Sequence, residues 1–295
     1  MKILVTGANG FIGQNLVKVL LDKNYEVHCI VRANSNISNI SQKVTIFKYN
    51  ENIDSLIKYF DAQKFDGLIH LASLFLATHT KDDISNLISS NIKFGTELLE
   101  ACKISDVKWF INTGTFWQNY ENEDYNPVNL YAATKEAFEN IAKYYIETSN
   151  LIFTTIKLND TFGANDTRNK VFNIWNKISK SGEILDMSAG EQIIDISYID
   201  DVISAYEVLI THLSSDQKED FKNKEFVVTN NEKMSLKELS KVFEEAINTR
   251  LNIEWGARPY REREVMIPYD KGQTVPNWNQ KYTLKEAIKK TIGES

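Results

Sequence analysis

The feature that most constrains the fold is a glycine-rich loop between an apolar run and a helical pattern near the start of the chain. The apolar run is Ile3-Leu4-Val5, the loop is Gly7-Ala8-Asn9-Gly10-Phe11-Ile12-Gly13, and Leu16, Val17, Leu20 and Leu21 follow at helical spacing. This order predicts a strand, a tight turn and a helix. Small residues let the backbone approach a pyrophosphate, and free N–H groups at the helix start can bind it. The loop therefore predicts a dinucleotide site, with an ordinary glycine turn in an α/β unit as the alternative.

Short apolar runs alternate with helical patterns through the first half of the sequence. Strands are predicted at 2–6, 26–31, 44–49, 67–72, 107–113 and 151–158, and helices at 11–23, 52–60, 84–104 and 130–148. This alternation is typical of a parallel sheet with right-handed crossovers. Further helices are predicted at 170–180, 200–213, 235–248 and 283–292. We therefore expect an α/β fold with a Rossmann-type doubly wound parallel sheet over residues 1–158 and a smaller, fused C-terminal lobe over 159–295.

Tyr131-Ala132-Ala133-Thr134-Lys135 places a phenol and an ammonium group on one face of a predicted helix. A free tyrosine titrates near pH ~10 and is a poor acid or base at neutral pH. A neighbouring cation favours the phenolate, so we expect Lys135 to lower the pKa of Tyr131. Together with a dinucleotide site, the pair predicts hydride chemistry on a carbonyl or an alcohol.

The composition limits the partners. A net charge of −6 and a pI near 5.4 argue against nucleic acid or an anionic membrane as the main partner. A strand that starts at Lys2 leaves no room for a signal peptide, and Cys29 and Cys102 are expected to be buried thiols of a cytoplasmic protein. The four histidines show no metal-ligand spacing, so no metal is expected.

The residues resemble those of the extended short-chain dehydrogenase/reductases that act on nucleotide-linked sugars, over essentially the whole chain. The segments that carry the resemblance are Thr6 to Gly13, His70-Leu71-Ala72-Ser73, Asn91-Ile92-Lys93-Phe94-Gly95-Thr96, Phe110-Ile111-Asn112-Thr113-Gly114-Thr115 and Asp195-Ile196-Ser197-Tyr198-Ile199-Asp200-Asp201-Val202. The last of these implies that residues 193–213 return to the first domain and that the second lobe binds a nucleotide sugar. Within the family, Thr113-Gly114-Thr115-Phe116-Trp117 and Gly190-Glu191-Gln192 are most similar to reductases of nucleotide-linked 4-keto-deoxyhexoses, such as CDP-abequose and CDP-paratose synthases.

The resemblance implies a role for each matching residue. Tyr131 donates a proton to the carbonyl oxygen, Lys135 supports the phenol and binds the nicotinamide ribose, and Thr115 stabilises the developing alkoxide. Thr113 is the nearest rival of Thr115 because it shares the same face of the strand. Asn91 completes the catalytic set or, alternatively, only caps a helix or binds backbone. The remaining cofactor contacts are expected from Gly7, Asn9, Gly10, Phe11, Ile12, Gly13, Leu71, Ala72, Ser73 and Leu158.

The end of the second strand predicts the cofactor. Family members that prefer NAD usually carry a carboxylate there to bind the adenosine ribose, but this chain has Ile30-Val31-Arg32-Ala33. Arg32 can form a charge-assisted contact with a 2′-phosphate. We therefore expect NADP(H) to be preferred, with NAD(H) as the alternative. The alternative interpretation of Arg32 is a solvated side chain at the end of the strand that does not bind the cofactor.

Two aromatic residues stand where the family's dehydratases carry acid and base. These enzymes have Asp-Glu directly after the catalytic hydroxyl residue, whereas Phe116 and Trp117 cannot transfer protons, so dehydration is not expected. The aromatic pair can instead contact a deoxygenated sugar face or belong to the core. The other expected substrate contacts are Asn159, Lys170 and Arg261. Ile194 and Asp160-Thr161 depart from the family's usual arginine and asparagine-proline.

Three functions fit these residues. The first is NADPH-dependent reduction of the C4 keto group of a CDP- or dTDP-linked 4-keto-deoxyhexose, in deoxysugar biosynthesis. The second is an NAD-dependent nucleotide-sugar 4-epimerase, and the third is a redox sensor that binds dinucleotide without turnover. As in relatives, the predicted helices at 84–104 and 130–148 can pair across a two-fold axis, which would give a homodimer.

Overall fold

The computed structural model describes residues 1–293, and the part it describes is built around a central sheet of seven parallel strands. The strands of the protein are β1 (Lys2–Thr6), β2 (Glu26–Arg32), β3 (Thr45–Tyr49), β4 (Gly67–His70), β5 (Trp109–Thr115), β6 (Ile152–Leu158), β7 (Asp160–Phe162), β8 (Leu185–Met187), β9 (Ile193–Ile194), β10 (Ile196–Tyr198), β11 (Lys224–Val228), β12 (Met234–Ser235) and β13 (Ile253–Trp255).

The helices cover both faces of this sheet. They are α1 (Phe11–Asp22), α2 (Ile53–Gln63), α3 (Ile84–Ile88), α4 (Phe94–Ile104), α5 (Leu130–Thr148), α6 (Val171–Ser181), α7 (Ile199–Leu213), α8 (Leu236–Ile247) and α9 (Leu284–Gly293). A π-helical turn, Ser89–Lys93, joins α3 to α4, so the helix predicted at 84–104 is one continuous run with a local irregularity. The four helices predicted beyond residue 158 are also present.

The order of the central sheet is β11-β6-β5-β4-β1-β2-β3. The chain moves outward from β1 to β3 and then crosses to β4 on the other side of β1, where it continues to β6. At such a reversal of strand order, the crossover connections leave a crevice at the carboxyl ends of the strands. The doubly wound α/β fold predicted from the sequence is therefore confirmed, and its geometry points to the ends of β1 and β4 as the place for a ligand.

β11 is a strand that the sequence analysis did not predict. It pairs in parallel with β6, in the register Phe226 to Ile156 and Val228 to Leu158, and forms the edge of the sheet. A segment from the C-terminal half of the chain thus extends the sheet that we predicted from residues 1–158 alone. The division into two domains at residue 158 stays a prediction, while the sheet itself extends across that boundary.

The second half of the chain is tied to the first by buried contacts. α7 packs against α1, and Tyr206 of α7 is fully buried in the core cluster that also holds Ile3, Leu16 and Ile156. Beyond the central sheet, three short two-stranded pairs, β7 with β10, β8 with β13 and β9 with β12, support the smaller lobe. Cys29 and Cys102 are buried free thiols, as expected. Over residues 1–293, every helix is too short or too polar to cross a bilayer.

Candidate active site

The glycine loop is shaped by two close backbone approaches. Gly7 adopts a left-handed conformation with φ of +70°, and a Cβ atom there would lie 2.7 Å from the backbone nitrogen of Ala72. A Cβ on Gly13 would lie 2.1 Å from the carbonyl oxygen of Gly7, so helix α1 can pack this closely only with glycine. Gly10 caps α1 without a side-chain hydrogen bond, which leaves the first N–H groups of the helix available to an anion.

A cleft of about 840 Å³ opens at the carboxyl ends of the strands, beside this loop. Its size suits a bound ligand of cofactor dimensions. Seven of the expected cofactor residues line it, namely Gly7, Asn9, Gly10, Arg32, Leu71, Ala72 and Ser73. The left-handed glycine, the free helix terminus and this cleft together fit a dinucleotide, whose diphosphate these backbone groups would hold.

Three of the expected loop contacts do not line the cleft. Phe11 borders a separate hollow of about 420 Å³, and its ring lies 4.5 Å below the guanidinium group of Arg168. Ile12 is half-buried and packs on the core, and Gly13 is buried within α1. These three residues therefore support the loop by packing and do not line the cleft.

Arg32 is exposed at the end of β2. It shares the cleft wall with Ala33, Asn34 and Ser35, which carry no charge, so the guanidinium group is the charged group of this segment. Glu51, at the same end of the cleft, is paired with Lys93 at 3.4 Å. Lys93 is also within 3.6 Å of Glu97, another residue of the cleft, so Arg32 is the lining cation with no acidic partner among the described residues and can meet an anionic ligand.

Tyr131 and Lys135 lie in the first two turns of α5, which Asn129 caps by accepting a hydrogen bond from the Ala132 N–H at 3.0 Å. Burial raises the pKa of Tyr131 to about 12, against an opposing hydrogen bond with Ser73. Burial also lowers the pKa of Lys135 to about 8, which the charge of Glu139 partly offsets. The expected lowering of the Tyr131 pKa by Lys135 was therefore wrong for the free protein, because loss of water around the phenol dominates.

Asn91 lies in the π-helical turn and uses its whole amide group. Its oxygen accepts from the Leu74 N–H at 2.7 Å and from the Ser73 hydroxyl at 3.2 Å, and its nitrogen donates to the Leu74 carbonyl at 3.0 Å and to Thr134 at 2.9 Å. Thr134 is the residue before Lys135 on α5. Asn91 therefore binds backbone, as the alternative expected, and through Thr134 it also fastens the loop after β4 to the helix that carries Tyr131.

Thr115 and Thr113 differ in what their hydroxyl groups contact. The Thr113 hydroxyl is bonded to the buried hydroxyl of Tyr206 at 2.7 Å. The Thr115 hydroxyl accepts a long hydrogen bond of 3.3 Å from the Trp117 N–H, which leaves its proton available to another acceptor. Thr115 is thus the better candidate for a bond to a substrate oxygen. Leu158 is its register partner on β6 and is buried beside it.

An aromatic group that the sequence analysis missed stands beside Tyr131. The Phe75 ring, which is 44% exposed, lies 5.0 Å from the ring of Tyr131 and 5.5 Å from that of Trp117. The Lys170 ammonium group lies 5.1 Å from the centre of the Phe75 ring and is paired with Asp160 at 2.6 Å. Trp117 and Lys170, both expected to bind substrate, are therefore brought together around Phe75.

The other expected substrate residues are placed differently. Phe116 is buried and packs edge-on against Tyr269, so in this structure it belongs to the core, and the aromatic wall is made by Trp117 and Phe75. The Asn159 side-chain nitrogen is buried and finds no hydrogen-bond partner within the described residues, as suits a group that binds a ligand. Arg261 is exposed and is bonded to Glu264 through its backbone N–H, so this contact does not hold its side chain at the site.

Known proteins resemble this chain over nearly its whole length. Residues 3–223 match the NAD dependent epimerase/dehydratase family. CDP-abequose synthase of Yersinia pseudotuberculosis is 30% identical over 295 residues, which cover 99% of both chains. CDP-abequose synthase of Salmonella typhimurium is 26% identical over 98% of this chain and 97% of its own.

Solved structures share the fold at lower identity. UDP-glucose 4-epimerase of Thermotoga maritima, with UDP-glucose, has a TM-score of 0.86 at 21% identity and covers 100% of this chain and 98% of its own. UDP-glucuronic acid 4-epimerase of Bacillus cereus, in complex with UDP-glucuronic acid and NAD, has a TM-score of 0.84 at 21% identity, with the same coverage. The resemblance inferred from the sequence is confirmed: the chain belongs to the NAD dependent epimerase/dehydratase family and is an enzyme of the short-chain dehydrogenase/reductase type.

Proposed function

We propose that this enzyme reduces the C4 keto group of a nucleoside-diphosphate-linked 4-keto-deoxyhexose with NADPH. The observation that carries the proposal is the site itself, in which Thr115, Tyr131 and Lys135 are accompanied by Phe116 and Trp117 in place of proton-transferring groups. Full-length similarity to CDP-abequose synthases supports the same assignment. It favours a CDP-linked substrate, with a dTDP-linked one next.

The protonation states of the site suit reduction. Because the pKa of Tyr131 is raised to about 12, the phenol keeps its proton at neutral pH and can give it to the carbonyl oxygen. Thr115 donates a hydrogen bond to the same oxygen as negative charge develops there. Lys135 in its cationic form holds the phenol and the ribose. NADPH, when bound, supplies the hydride.

The preference for NADPH rests on Arg32. The Bacillus cereus structure contains NAD, as does UDP-glucose 4-epimerase of Thermus thermophilus, at 21% identity. In this chain an exposed arginine lies where a carboxylate would bind the ribose hydroxyls of NAD, and a guanidinium group is a strong partner for a 2′-phosphate. NAD(H) remains the alternative cofactor.

A nucleotide-sugar 4-epimerase is the second candidate, because the solved neighbours of this fold include such enzymes. It would use Tyr131 and Lys135 in both directions with cofactor that is not consumed. The third candidate, a dinucleotide sensor, would leave the sugar unchanged. Two parallel assays separate them: purified enzyme and NADPH with CDP-, dTDP- or GDP-linked 4-keto-6-deoxy sugars, and purified enzyme and NAD with nucleotide hexoses that carry a C4 hydroxyl group. Oxidised cofactor and sugar product are counted in both.

For a reductase we expect one NADPH oxidised for each sugar reduced. An epimerase would invert C4 of the nucleotide hexose with no net change in cofactor and would leave the 4-keto sugar unreduced, and a 4-keto sugar that stays unreduced would overturn the proposal. The preferred nucleobase is the one that gives the highest kcat/KM.

We also infer a homodimer in which α4 and α5 pack against the same helices of a second copy. Ile104 at the end of α4 and Tyr144 on α5 are apolar side chains that are 53% and 59% exposed, which suits a covered face. Light scattering of the purified protein tests this. A monomer at micromolar concentration would contradict it.

A further inference from the structure

A buried amide joins the strand that carries Thr115 to the helix that carries Tyr131. Gln118 has no exposed surface and lies in the short turn that follows β5. Its side-chain oxygen accepts from the Thr115 N–H at 2.9 Å. Its side-chain nitrogen donates to Glu136 at 2.8 Å and to Glu139 at 3.2 Å, both on α5. One side chain therefore fixes the end of β5 relative to α5.

Glu139 is held from the strand side as well. Its Oε1 accepts a second hydrogen bond from Asn112 of β5 at 3.1 Å. Two amide donors on one carboxylate oxygen restrict where the carboxyl group can point. Glu139 follows Lys135 by four residues on α5, so both side chains lie on the same helical face. The held carboxyl group and the Lys135 ammonium group are therefore close on that face, and they interact through their charges with no ion pair between them in the described residues.

Among the charged side chains around this pair, Glu139 is the one whose charge raises the pKa of Lys135. Glu139 is faced by Lys157 of β6, Glu225 of β11, and Glu136 and Lys135 of its own helix. Lys157 is already paired with Glu225 at 2.8 Å and bonded to Asn119 at 2.8 Å. On the β4 side, Lys135 faces His70, whose pKa is held well below its usual value by burial and by the lysine charge. His70 is therefore neutral and offers Lys135 no counter-charge.

We propose that Glu139, held in place by Gln118 and Asn112, is a positioning residue that acts through Lys135 by keeping the lysine cationic and thus able to support proton donation by Tyr131. Burial alone disfavours the ammonium form of a side chain that is 2% exposed, and the negative charge of Glu139 offsets this. Burial also raises the pKa of Glu139 to about 7, so its charge is present above that pH, in the range where Lys135 would otherwise lose its proton. The catalytic part of this inference rests on the proposed ketone reduction. The coupling between the two side chains does not.

The coupling is tested in the free protein. Glu139→Gln keeps an oxygen that can accept from Asn112 and Gln118 but removes the charge, and Glu147→Gln is the control, since it makes the same change at an exposed position of the same helix. NMR of protein labelled with ¹³C-lysine follows the titration of Lys135, whose signal is identified by its loss in Lys135→Arg. We expect its midpoint to fall by about one pH unit or more in Glu139→Gln and to stay in place in Glu147→Gln. An unchanged midpoint in Glu139→Gln would overturn the proposal.

Turnover gives the second readout. Because loss of the carboxylate lowers the Lys135 midpoint, the alkaline fall of kcat/KM should move to lower pH by the same amount. Glu139→Gln should then lose activity at neutral pH and recover it in mildly acidic buffer. An equal loss at every pH would mean that Glu139 is only structural and would overturn its role in catalysis. If wild-type protein reduces no 4-keto sugar, the proposed function fails, while the NMR midpoints still decide the coupling.

Discussion

Tyr131 is surrounded so that it is an acid at neutral pH. Burial raises its pKa to about 12, and its hydroxyl group carries the proton that ketone reduction requires. Tyr131→Phe keeps the ring that packs against Phe75 but removes this proton. We expect kcat to fall to less than about a tenth of the wild-type value, because general acid catalysis contributes roughly 10²-fold or more, with folding and cofactor binding retained. Steady-state kinetics and circular dichroism check this, with Tyr125→Phe, at a tyrosine that is 53% exposed, as control. If most of the activity survived, another group would be the acid.

In the proposed reaction, the protonation of Lys135 would determine the pH range of activity. Burial lowers its pKa to about 8, with Glu139 acting in the opposite direction, so the lysine is cationic below this value and neutral above it. Since the cationic form supports Tyr131, kcat/KM should be constant near neutral pH and fall as the pH rises through about 8. Tyr131 itself would lose its proton only near pH 12. A pH profile of initial rates is the measurement, and activity that persists unchanged to pH ~10, the range of an ordinary lysine, would contradict this assignment.

The predicted preference for NADP(H) depends on Arg32. Arg32→Ala should weaken binding of NADPH by about 1–3 kcal/mol, the scale of a lost charge-assisted hydrogen bond. Binding of NADH should barely change, because NADH has no 2′-phosphate, and it therefore serves as the internal control. Fluorescence titration of both cofactors measures the two dissociation constants. Equal losses of affinity for both cofactors would show that Arg32 contributes to cofactor binding in general and does not bind the 2′-phosphate.

At the scale of elements, the site depends on the junction between the π-helical turn and α5. Asn91→Ala would leave the N–H and carbonyl of Leu74 without their partner. Since each unsatisfied buried group costs about 1–3 kcal/mol, we expect a loss of that order in the free energy of unfolding, together with a lower kcat. Denaturant unfolding and kinetics test this against Asn150→Ala, an exposed asparagine outside the junction. If Asn91→Ala were as stable and as active as wild type, Asn91 would have no role in the site.

The sequence predicted the elements that have strong local patterns and missed those that depend on distant pairing. The glycine loop, the alternating strands and the Tyr131–Lys135 helix each have a local signal. β11 has only Phe226, Val227 and Val228 as an apolar run after two charged residues, and it becomes a strand because it pairs with β6. Gln118 and Phe75 have no motif of their own. They join the site through tertiary contacts with Glu139 and Tyr131, which spacing along the chain does not reveal.

At the scale of the whole molecule, the side chains at the end of β5 bear on the reaction type that we propose. Loss of water from a hexose needs an acid for the C6 hydroxyl and a base for the C5 proton, but Phe116 is buried against Tyr269, and Trp117 lies beside Phe75. The exposed aromatic surface can pack against a deoxygenated sugar face, which gains about 0.8 kcal/mol for each buried methylene.

We therefore expect reduction of a 4-keto-6-deoxy or 3,6-dideoxy sugar nucleotide at C4, and neither dehydration nor turnover of an intact nucleotide hexose. Mass spectrometry of the products distinguishes the two reactions, because reduction adds two hydrogens whereas dehydration removes one water. Trp117→Ala should raise KM for the deoxy sugar with a smaller effect on kcat, since in the proposed complex the ring would contact the sugar but would not transfer a proton. The assignment would be refuted if the wild-type protein removed water from an intact CDP-hexose and the Tyr131→Phe variant did not.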